Sequence, residues 1–436
     1  MLKNKKILKI KRKLLSIITI AFFLINGSSI FAGLASTNYN YINDLIGDRA
    51  TGLGGAFSAI SDDPSGAYYN PAGLAFAFDN QISLSVNTYK NKKMIYEEAI
   101  FKQKNYNQHI ESLYPSFFGV IQSIGPLKIA ITFININNEI LDQDDSNKNL
   151  VVVEDDGSKY NIDYHINYNN TDNTAMAGLS TGFFILDNLT AGISFFGIRR
   201  RQEQIQNEIF KYIEGPSGAY PDESYSIQNY YQTDISYGIS GRFGIQWMPV
   251  TSFSVGLNAG GGLIPYYKKS SQVAEPSAVI LVNRFKKPEE PSEEDAGLPV
   301  DVRFGVAFFA SKQFLVTAEA IAHFGTLYFN TTVKNTINGA IGMEYYLTDA
   351  TPFSLGFFTN FANTPEIVKE KIKQDMHADL FGISTGISLQ TRNSSINLSG
   401  FYQFGNGEAK ITEIGTLIQK VKIQMFQIGL TGSAKY

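Results

Sequence analysis

The chain has 436 residues, 44% of them hydrophobic, and a formal net charge of −3 at pH 7. Because it contains no cysteine, disulfides and thiolate metal sites are excluded. Tyrosine and phenylalanine are abundant, at 24 and 32 residues, but no long apolar run follows the N-terminus. We therefore expect no membrane-spanning helix in the mature protein.

The first 32 residues have the pattern of a secretory signal peptide. Seven basic residues within positions 3–13 precede an apolar run at 14–25, and small residues lead up to Ala32. The apolar run is short for a retained membrane anchor. Removal of residues 1–32 would leave 30 of the 37 basic residues against 40 acidic ones, so nucleic acid is not an expected partner.

A stretch rich in small residues follows, from Asp48 to Ala75. Its glycines permit tight bends and close backbone approach, and its Asp, Ser, Asn and Pro residues have turn chemistry. We predict a compact plug of short helices and turns here, with an ordinary glycine-rich loop as the alternative. The residues predicted to define the plug are Gly52, Gly54, Gly55, Asp62, Asp63, Asn70, Pro71, Ala72 and Gly73.

From residue 81 onward, apolar residues recur at every second position, as in a strand with one apolar face. Most of these segments are long enough for a tilted membrane strand of about 9–11 residues. Fourteen strands are predicted, at about 81–89, 115–124, 127–137, 174–186, 188–200, 233–248, 252–263, 299–310, 313–323, 336–347, 352–361, 380–391, 394–404 and 420–436.

The connections between these segments alternate between short turns, such as 249–251, and long polar loops, such as 138–173 and 201–232. Short periplasmic turns and long external loops are typical of outer-membrane barrels. The predicted fold class is therefore all-β, a fourteen-stranded antiparallel transmembrane β-barrel over residues 81–436 in the bacterial outer membrane. Tyr436 ends the last strand, where a terminal aromatic looks like the signal read by the assembly machinery; a plain edge strand is the alternative.

Together these features resemble the FadL-type family of outer-membrane transporters for long-chain fatty acids and aromatic hydrocarbons. The resemblance is carried by Gly54-Gly55-Ala56, the acidic pair at 62–63 and the Asn-Pro-Ala-Gly-Leu run at 70–74, and more loosely by residues 342–365. It implies that residues 33–80 form a hatch inside the barrel. It also implies passive uptake of hydrophobic small molecules, long-chain fatty acids first, by a monomer in contact with outer-membrane lipid.

Charged residues within the strands fall on the parity opposite the apolar one, so Arg242, Arg303 and Glu344 are predicted to face the lumen. On the lipid face near the bilayer midplane a basic side chain would cost about 2–4 kcal/mol. The favoured interpretation is a salt-bridged network that rigidifies the barrel and seats the hatch. The alternative is that Arg242 and Arg303 meet a substrate carboxylate, since guanidinium suits bidentate pairing.

Two of the long loops contain apolar residues that could form an external hydrophobic groove. Ile205, Ile209 and Ile213 recur at helical spacing, and Ile280 and Leu281 lie in an otherwise charged loop. The resemblance implies that external loops here first capture ligand. The alternative, compatible with the first, is that each patch packs on its neighbour and caps the barrel.

Other candidate sites have weaker patterns. The acidic residues at 142–145 and 154–156 could bind calcium, but their spacing does not match an EF-hand, and a solvated acidic loop is favoured. The four histidines show no triad or metal-pair spacing, so neither an enzyme nor a cofactor is expected. Two rival functions stay open: a FadL-like scaffold or shuttle for protein secretion, and a general porin.

Overall fold

The computed structural model of the chain describes residues 39–78, 80–100, 103–153, 159–214, 224–274, 296–325, 327–328, 331–369, 374–410 and 418–436. The predicted signal peptide lies outside these residues. Among the helices of the described part, none is long and apolar enough to cross a membrane.

Fourteen antiparallel strands form a closed wall, which confirms the predicted fold class. Each strand pairs with the next along the chain, and the first pairs with the last. A separate small hairpin joins Leu327–Tyr328 to Thr331–Thr332. The strands are β1 (Gln81–Ile100), β2 (Lys104–Tyr114 and Phe117–Ile124), β3 (Leu127–Val153), β4 (Lys159–Leu186), β5 (Leu189–Glu214), β6 (Ser224–Val250), β7 (Phe253–Ala274), β8 (Ala296–Phe309), β9 (Phe314–Phe324), β10 (Thr336–Thr348), β11 (Thr351–Asn360), β12 (Gln374–Gln390), β13 (Ser394–Lys410) and β14 (Gln419–Lys435).

The two faces of each strand differ as the period-two alternation predicts. On β5 the outward Phe195 is 62% exposed, whereas the inward Phe196 is 4% exposed. On β6 the exposed aromatic residues Trp247 and Tyr237 bound the apolar outer face, and the stretch between them matches the length a tilted strand needs to cross a bilayer. The wall therefore has an apolar outer band of membrane height.

Several strands are longer than the sequence predicts, and this corrects the loop assignments. The described parts of the predicted loops 138–173 and 201–232 instead belong to the paired strands β3–β4 and β5–β6, which continue the ladder well beyond the apolar band. Beyond the membrane the outer face of a strand meets water, so the apolar alternation ends while the backbone pairing continues. We call this end of the barrel the extended rim and the other end the short-turn rim.

One place in the described wall pairs weakly. Pro115 and Ser116 interrupt β2, and Pro115 has no N–H to donate. Above this break β2 stays paired with β1, but its register with β3 is reduced to the single pair Ile110–Leu141. The Ser112 hydroxyl adds one bond to the Asn138 carbonyl at 2.9 Å.

Residues 39–78, which we call the N-terminal segment, lie inside the wall. The segment contains α1 (Asp48–Gly52), α2 (Gly66–Tyr69) and a 3-10 helix (Pro71–Phe76). These helices are too short to be stable alone, so packing against the wall holds them. The segment runs down the lumen from Asn40, which donates to the Asn360 carbonyl at 2.8 Å, toward Asn80, which accepts from the Tyr436 amide at the short-turn rim.

Candidate functional site

Glycines on the inner face of the wall let the N-terminal segment approach it backbone to backbone. A Cβ at Gly192 would lie 2.3 Å from the Pro71 carbonyl carbon, and one at Gly256 would lie 2.1 Å from the Ser58 oxygen. A Cβ at Gly342 would meet the Leu53 oxygen at 2.6 Å. The fit thus depends on the absence of side chains at these positions. Glycine at the inward parity of consecutive strands is the sequence signal for it, and our sequence reasoning missed it.

The predicted plug glycines take part in the same fit. Gly54 has φ +66°, and an added Cβ would lie 3.2 Å from the backbone of Phe357 on β11. At Gly52 an added Cβ would lie 2.1 Å from the Ser354 hydroxyl. Gly55, with φ +84°, packs instead against Leu45 of its own segment. Left-handed backbone at Gly54 and Gly55 is the conformation that glycine adopts without strain.

Asn70 joins three parts of the structure. Its Oδ1 accepts from the Ala72 amide at 3.2 Å and so caps the 3-10 helix that begins at Pro71, as its sequence position predicts. Its Nδ2 donates to the Ser58 carbonyl at 2.7 Å and to the Ile245 carbonyl of β6 at 3.2 Å. Ala72 and Gly73 are buried beside it. One fully buried amide thus ties two stretches of the segment to the wall.

The predicted acidic pair is divided between two roles. Asp62 accepts from Arg49 Nη1 at 2.8 Å, and Arg49 also forms a bidentate pair with Glu344 of β10, with both N–O distances 2.9 Å. Asp63 accepts from the amide and the hydroxyl of Ser65, at 2.7 and 2.6 Å, which shapes the turn into α2. Burial raises the pKa of the Asp63 carboxyl. Glu344 therefore faces the lumen and contacts the segment.

Arg242 and Arg303 belong to a second network. Both pair with Asp301, at 2.8 and 3.0 Å, and Arg303 lies 3.6 Å from Glu319. Glu319 accepts from two successive amides of the segment, those of residues 57 and 58, at 2.9 and 2.8 Å. The Arg303 guanidinium also lies 5.5 Å from the ring centroid of Tyr69. Protein carboxylates thus neutralise both arginines, and Glu319 connects this network to the segment.

A third anchor was missed by the sequence reasoning. Lys90 Nζ lies 2.6 Å from Asp44 Oδ1, and neither side chain is exposed. The Tyr114 hydroxyl donates to Asp44 Oδ2 at 2.6 Å, next to the interruption in β2. Burial raises the pKa of Asp44, and Lys90 opposes this effect. The sequence signal for it was the inward parity of Lys90. The predicted first strand ended at residue 89, so Lys90 was not assigned to a strand face.

Asp48 borders a small polar cavity between α1 and the wall. The cavity volume is about 10 Å³, close to the space of one water molecule. Burial raises the pKa of Asp48 to about 7, partly opposed by hydrogen bonds from the wall. Among its wall partners, Asn397 and Ser399 lie 3.4 Å from the carboxylate. Further cavity residues are Thr51, Ser85, Thr88, Ser116 and Gln427.

Between the segment and the extended rim, the lumen contains a buried apolar cluster beside the inward-facing ion pairs Lys92–Glu139 and Arg200–Asp172. A buried cluster lines the inner face of β1–β4 and β12–β14, and Tyr39 of the segment packs against it. A second group, including Phe196, Ile198 and Leu298, continues the lining and packs with Tyr41 and Tyr68. We call the first group the inner apolar cluster: Met94, Tyr96, Ala99, Ile100, Tyr106, Ile110, Leu141, Tyr164, Met376, Ala378, Leu380, Ala409, Val421 and Ile423.

The predicted groove residues are only partly within the described chain. Ile205 and Ile209 lie on β5, paired with β4 and β6, so the helical arrangement was wrong. A spacing of four also keeps residues on one face of a strand, and both side chains point outward, each 39% exposed. Ile213 lies on the same strand. Ile280 and Leu281 lie outside the described residues.

No metal-binding cluster occurs among the described residues. Asp144 is instead within 3.3 Å of the His165 ring, on exposed parts of the β3–β4 hairpin. The second acidic group, at 154–156, lies outside the described chain.

Comparison with known proteins finds similarity in the fold. No family model and no curated protein matches the chain. Among solved structures, a FadL homologue of Pseudomonas aeruginosa has a TM-score of 0.61 at 12% identity, covering 91% of this chain and 99% of that one. The toluene transporter TodX of P. putida has a TM-score of 0.59 at 10% identity, over 89% and 97%. TbuX of Ralstonia pickettii, also a toluene transporter, has a TM-score of 0.58 at 11% identity, covering 89% of this chain and 98% of that one.

These likenesses cover about nine tenths of the chain. They agree with the closed fourteen-stranded wall and its apolar outer band. The chain is therefore an integral β-barrel of the bacterial outer membrane with the FadL-type fold.

Proposed function

We propose that the chain is a passive channel for the uptake of hydrophobic molecules, with residues 33–80 as its hatch. The observation that carries this proposal is the inner apolar cluster. The lumen of a water-filled porin is lined by polar residues. Here Met94, Leu380 and Ile423 face inward and are buried. Such a lining binds apolar molecules by removing their surface from water, at about 25 cal/mol per Å².

The hatch supplies the second part of the proposed mechanism. The anchors at Asp44, Glu319 and Glu344 hold it below the apolar cluster, so a ligand that enters from the extended rim comes to rest against it. Displacement of the hatch, or of the weakly paired wall between β2 and β3, would then open a path. The transport runs down a concentration gradient and is not an enzymatic reaction.

Long-chain fatty acids are the first ligands that we propose. Two structurally similar proteins are named toluene transporters, which supports apolar ligands in general. A fatty acid adds a carboxylate, for which Arg242 and Arg303 are the proposed contacts. Because Asp301 and Glu319 already neutralise these arginines, a carboxylate would have to compete with them. Uptake of palmitate and of an alkane of equal length by the same vesicles distinguishes the two classes. Faster palmitate uptake supports fatty acids, and faster alkane uptake overturns this choice.

Uptake by vesicles that contain purified protein tests the proposal itself. Ile423→Gln puts an amide into the inner apolar cluster. An apolar ligand that binds there would bury this amide without a hydrogen-bond partner, which is unfavourable, so we expect ligand uptake to fall about tenfold. Ser433→Gln is the matched control, because it lies on the inner face of the same strand near the short-turn rim. Equal uptake by all three proteins would contradict the proposal. If the wild-type protein conducts small ions as an open, water-filled pore does, a porin is favoured. A stable co-purifying secretion partner would favour a scaffold.

A further inference from the structure

The outer face of the wall carries a basic patch directly beyond the apolar band. Arg199 and Arg201 on β5 and Lys268 on β7 have exposed side chains. Arg199 and Arg201 share the outward parity of Phe195 on β5, which is 62% exposed. On β6 the same face continues into Ile239, which is 57% exposed. We call Arg199, Arg201 and Lys268 the outer basic patch.

The strand register fixes the depth of this patch. Arg199 pairs with Tyr237, and Tyr237 pairs with Tyr266, with the two rings 5.6 Å apart. Exposed tyrosines of this kind mark the interface between the bilayer and water. Arg201 lies two residues farther toward the extended rim, paired with Ile235, whose other neighbour is Lys268. The patch therefore lies at the depth of lipid headgroups.

The lateral size of the patch suits a single phosphorylated headgroup. Adjacent strands lie about 4.8 Å apart, and successive residues on one face of a strand lie about 7 Å apart. The three Cα atoms therefore fall within about 12 Å of one another. Long basic side chains can then converge on one or two phosphate groups from this span.

The charge of the patch is only partly neutralised. Arg201 contacts Glu203 on its own strand. No carboxylate of the described chain pairs with Arg199 or Lys268. Elsewhere on the outer face, the exposed Lys422 is paired with Glu97 at 2.6 Å. The outer basic patch thus keeps net positive charge on a chain in which acidic residues outnumber basic ones.

We propose that the outer basic patch binds the phosphate groups of the glycolipid that forms the outer leaflet of the outer membrane. Cations near an anionic lipid surface each add affinity, and guanidinium pairs with phosphate in a bidentate way. The apolar surface below the patch, at Phe195 and Ile239, contacts the acyl chains of the same molecule. A soluble phosphate would contact only the basic side chains and not the apolar surface. The proposal rests on the orientation of the barrel and is independent of the transported ligand.

The test titrates the full-length protein, purified in an uncharged detergent, with bisphosphorylated lipid A. Dephosphorylated lipid A and inorganic phosphate are the comparison ligands. The double variant Arg199→Gln, Lys268→Gln removes the two cations without a described carboxylate partner. Lys422→Gln makes the same change elsewhere on the outer face and is the matched control. We expect the double variant to bind bisphosphorylated lipid A about 25-fold more weakly, about fivefold for each cation, with little change in the control.

Three outcomes would overturn the proposal. The first is equal affinity of the wild type and the double variant for bisphosphorylated lipid A. The second is equal affinity of the wild type for the dephosphorylated glycolipid, which would mean that acyl contacts alone carry binding. The third is equally tight binding of inorganic phosphate, which would indicate a soluble-anion site. The last two need only the wild-type protein, so they hold even if the variants fold poorly.

Discussion

Glu319 and Glu344 hold the N-terminal segment at two heights of the neighbouring strands β9 and β10. Glu319 receives two successive backbone amides of the segment, an arrangement that concentrates positive partial charge on a carboxylate. Glu344 instead receives the guanidinium of Arg49 in a bidentate pair. Both carboxylates are buried, so the loss of either charge weakens the compensation of the groups that it contacts.

We expect Glu344→Gln to loosen the segment while it preserves the size of the side chain. Amide exchange at residues 48–62 should become about tenfold faster, because hydrogen bonds to charged groups contribute about 1.5–3 kcal/mol. Hydrogen exchange followed by mass spectrometry measures this in the folded barrel. Glu408→Gln is the control, because its side chain is exposed on β13. Equal exchange in the wild type and Glu344→Gln would contradict the anchoring role.

Asp48 should make the stability of the protein depend on pH. Burial raises its folded-state pKa to about 7 from an ordinary value of 3.8. A carboxyl group with a raised folded pKa stabilises the fold below its unfolded pKa, and this contribution is lost as the pH rises through the folded value. We expect thermal stability between pH 5 and pH 8 to fall more in the wild type than in Asp48→Asn. Parallel changes in the two melting temperatures would contradict the assignment.

At the scale of elements, the 3-10 helix and the inner face of β5 form one close-packed contact. The helix approaches β5 at Gly192, where an added Cβ would lie 2.3 Å from the Pro71 carbonyl carbon. A helix of six residues has little stability of its own. Its position therefore depends on the wall that it touches.

We expect Gly192→Val to displace the 3-10 helix but to preserve the barrel. The new side chain has no space beside Pro71, whereas valine suits a β-strand. Single-channel conductance should rise, and heat-dependent gel mobility should stay that of a folded barrel. Gly197→Val is the matched control on the same strand, because its added Cβ faces outward and meets nothing closer than 3.9 Å. A conductance equal in both variants would argue against the contact.

The sequence predicts strands well where the two sides of the wall differ. For β14 the predicted range 420–436 agrees with Gln419–Lys435, because lipid and lumen impose opposite chemistry on alternate residues. For β3 the predicted end at residue 137 falls short of Val153, because the outer face of the extension meets water and its polar residues follow no period. Backbone pairing extends these hairpins, and it does not require particular side chains, so the amino-acid composition does not indicate it.

The same contrast separates the site residues that could be predicted from those that could not. The cap at Asn70 and the inward parity of Arg303 are local properties, so a few neighbouring residues define them. The pair of Asp44 and Lys90 depends on how the segment lies within the closed wall, which no local pattern contains. The outward direction of Ile205 required the strand pairing, since spacing by four is shared by helices and strands.

For the whole molecule, loop lengths predict the orientation in the membrane. Lys148 lies on the exposed β3–β4 hairpin, and Thr251 lies in a turn of the short-turn rim. Because the chain has no cysteine, Lys148→Cys and Thr251→Cys each introduce a unique thiol. A membrane-impermeant maleimide should label Lys148→Cys on intact cells, and should label Thr251→Cys only after the outer membrane is permeabilised. The reverse labelling pattern would contradict the predicted orientation and place the short-turn rim outside.

The pairing of β1 with β14 has a consequence for the order of assembly in time. These strands are the two ends of the wall, with Gln81 beside Lys435, so the ring stays open until the last strand is in position. Contacts between residues so distant in sequence form slowly. The N-terminal segment therefore has to lie inside the open wall before β1 pairs with β14. A barrel that closes too early would shut the segment outside, with Glu319 and Glu344 facing an empty interior.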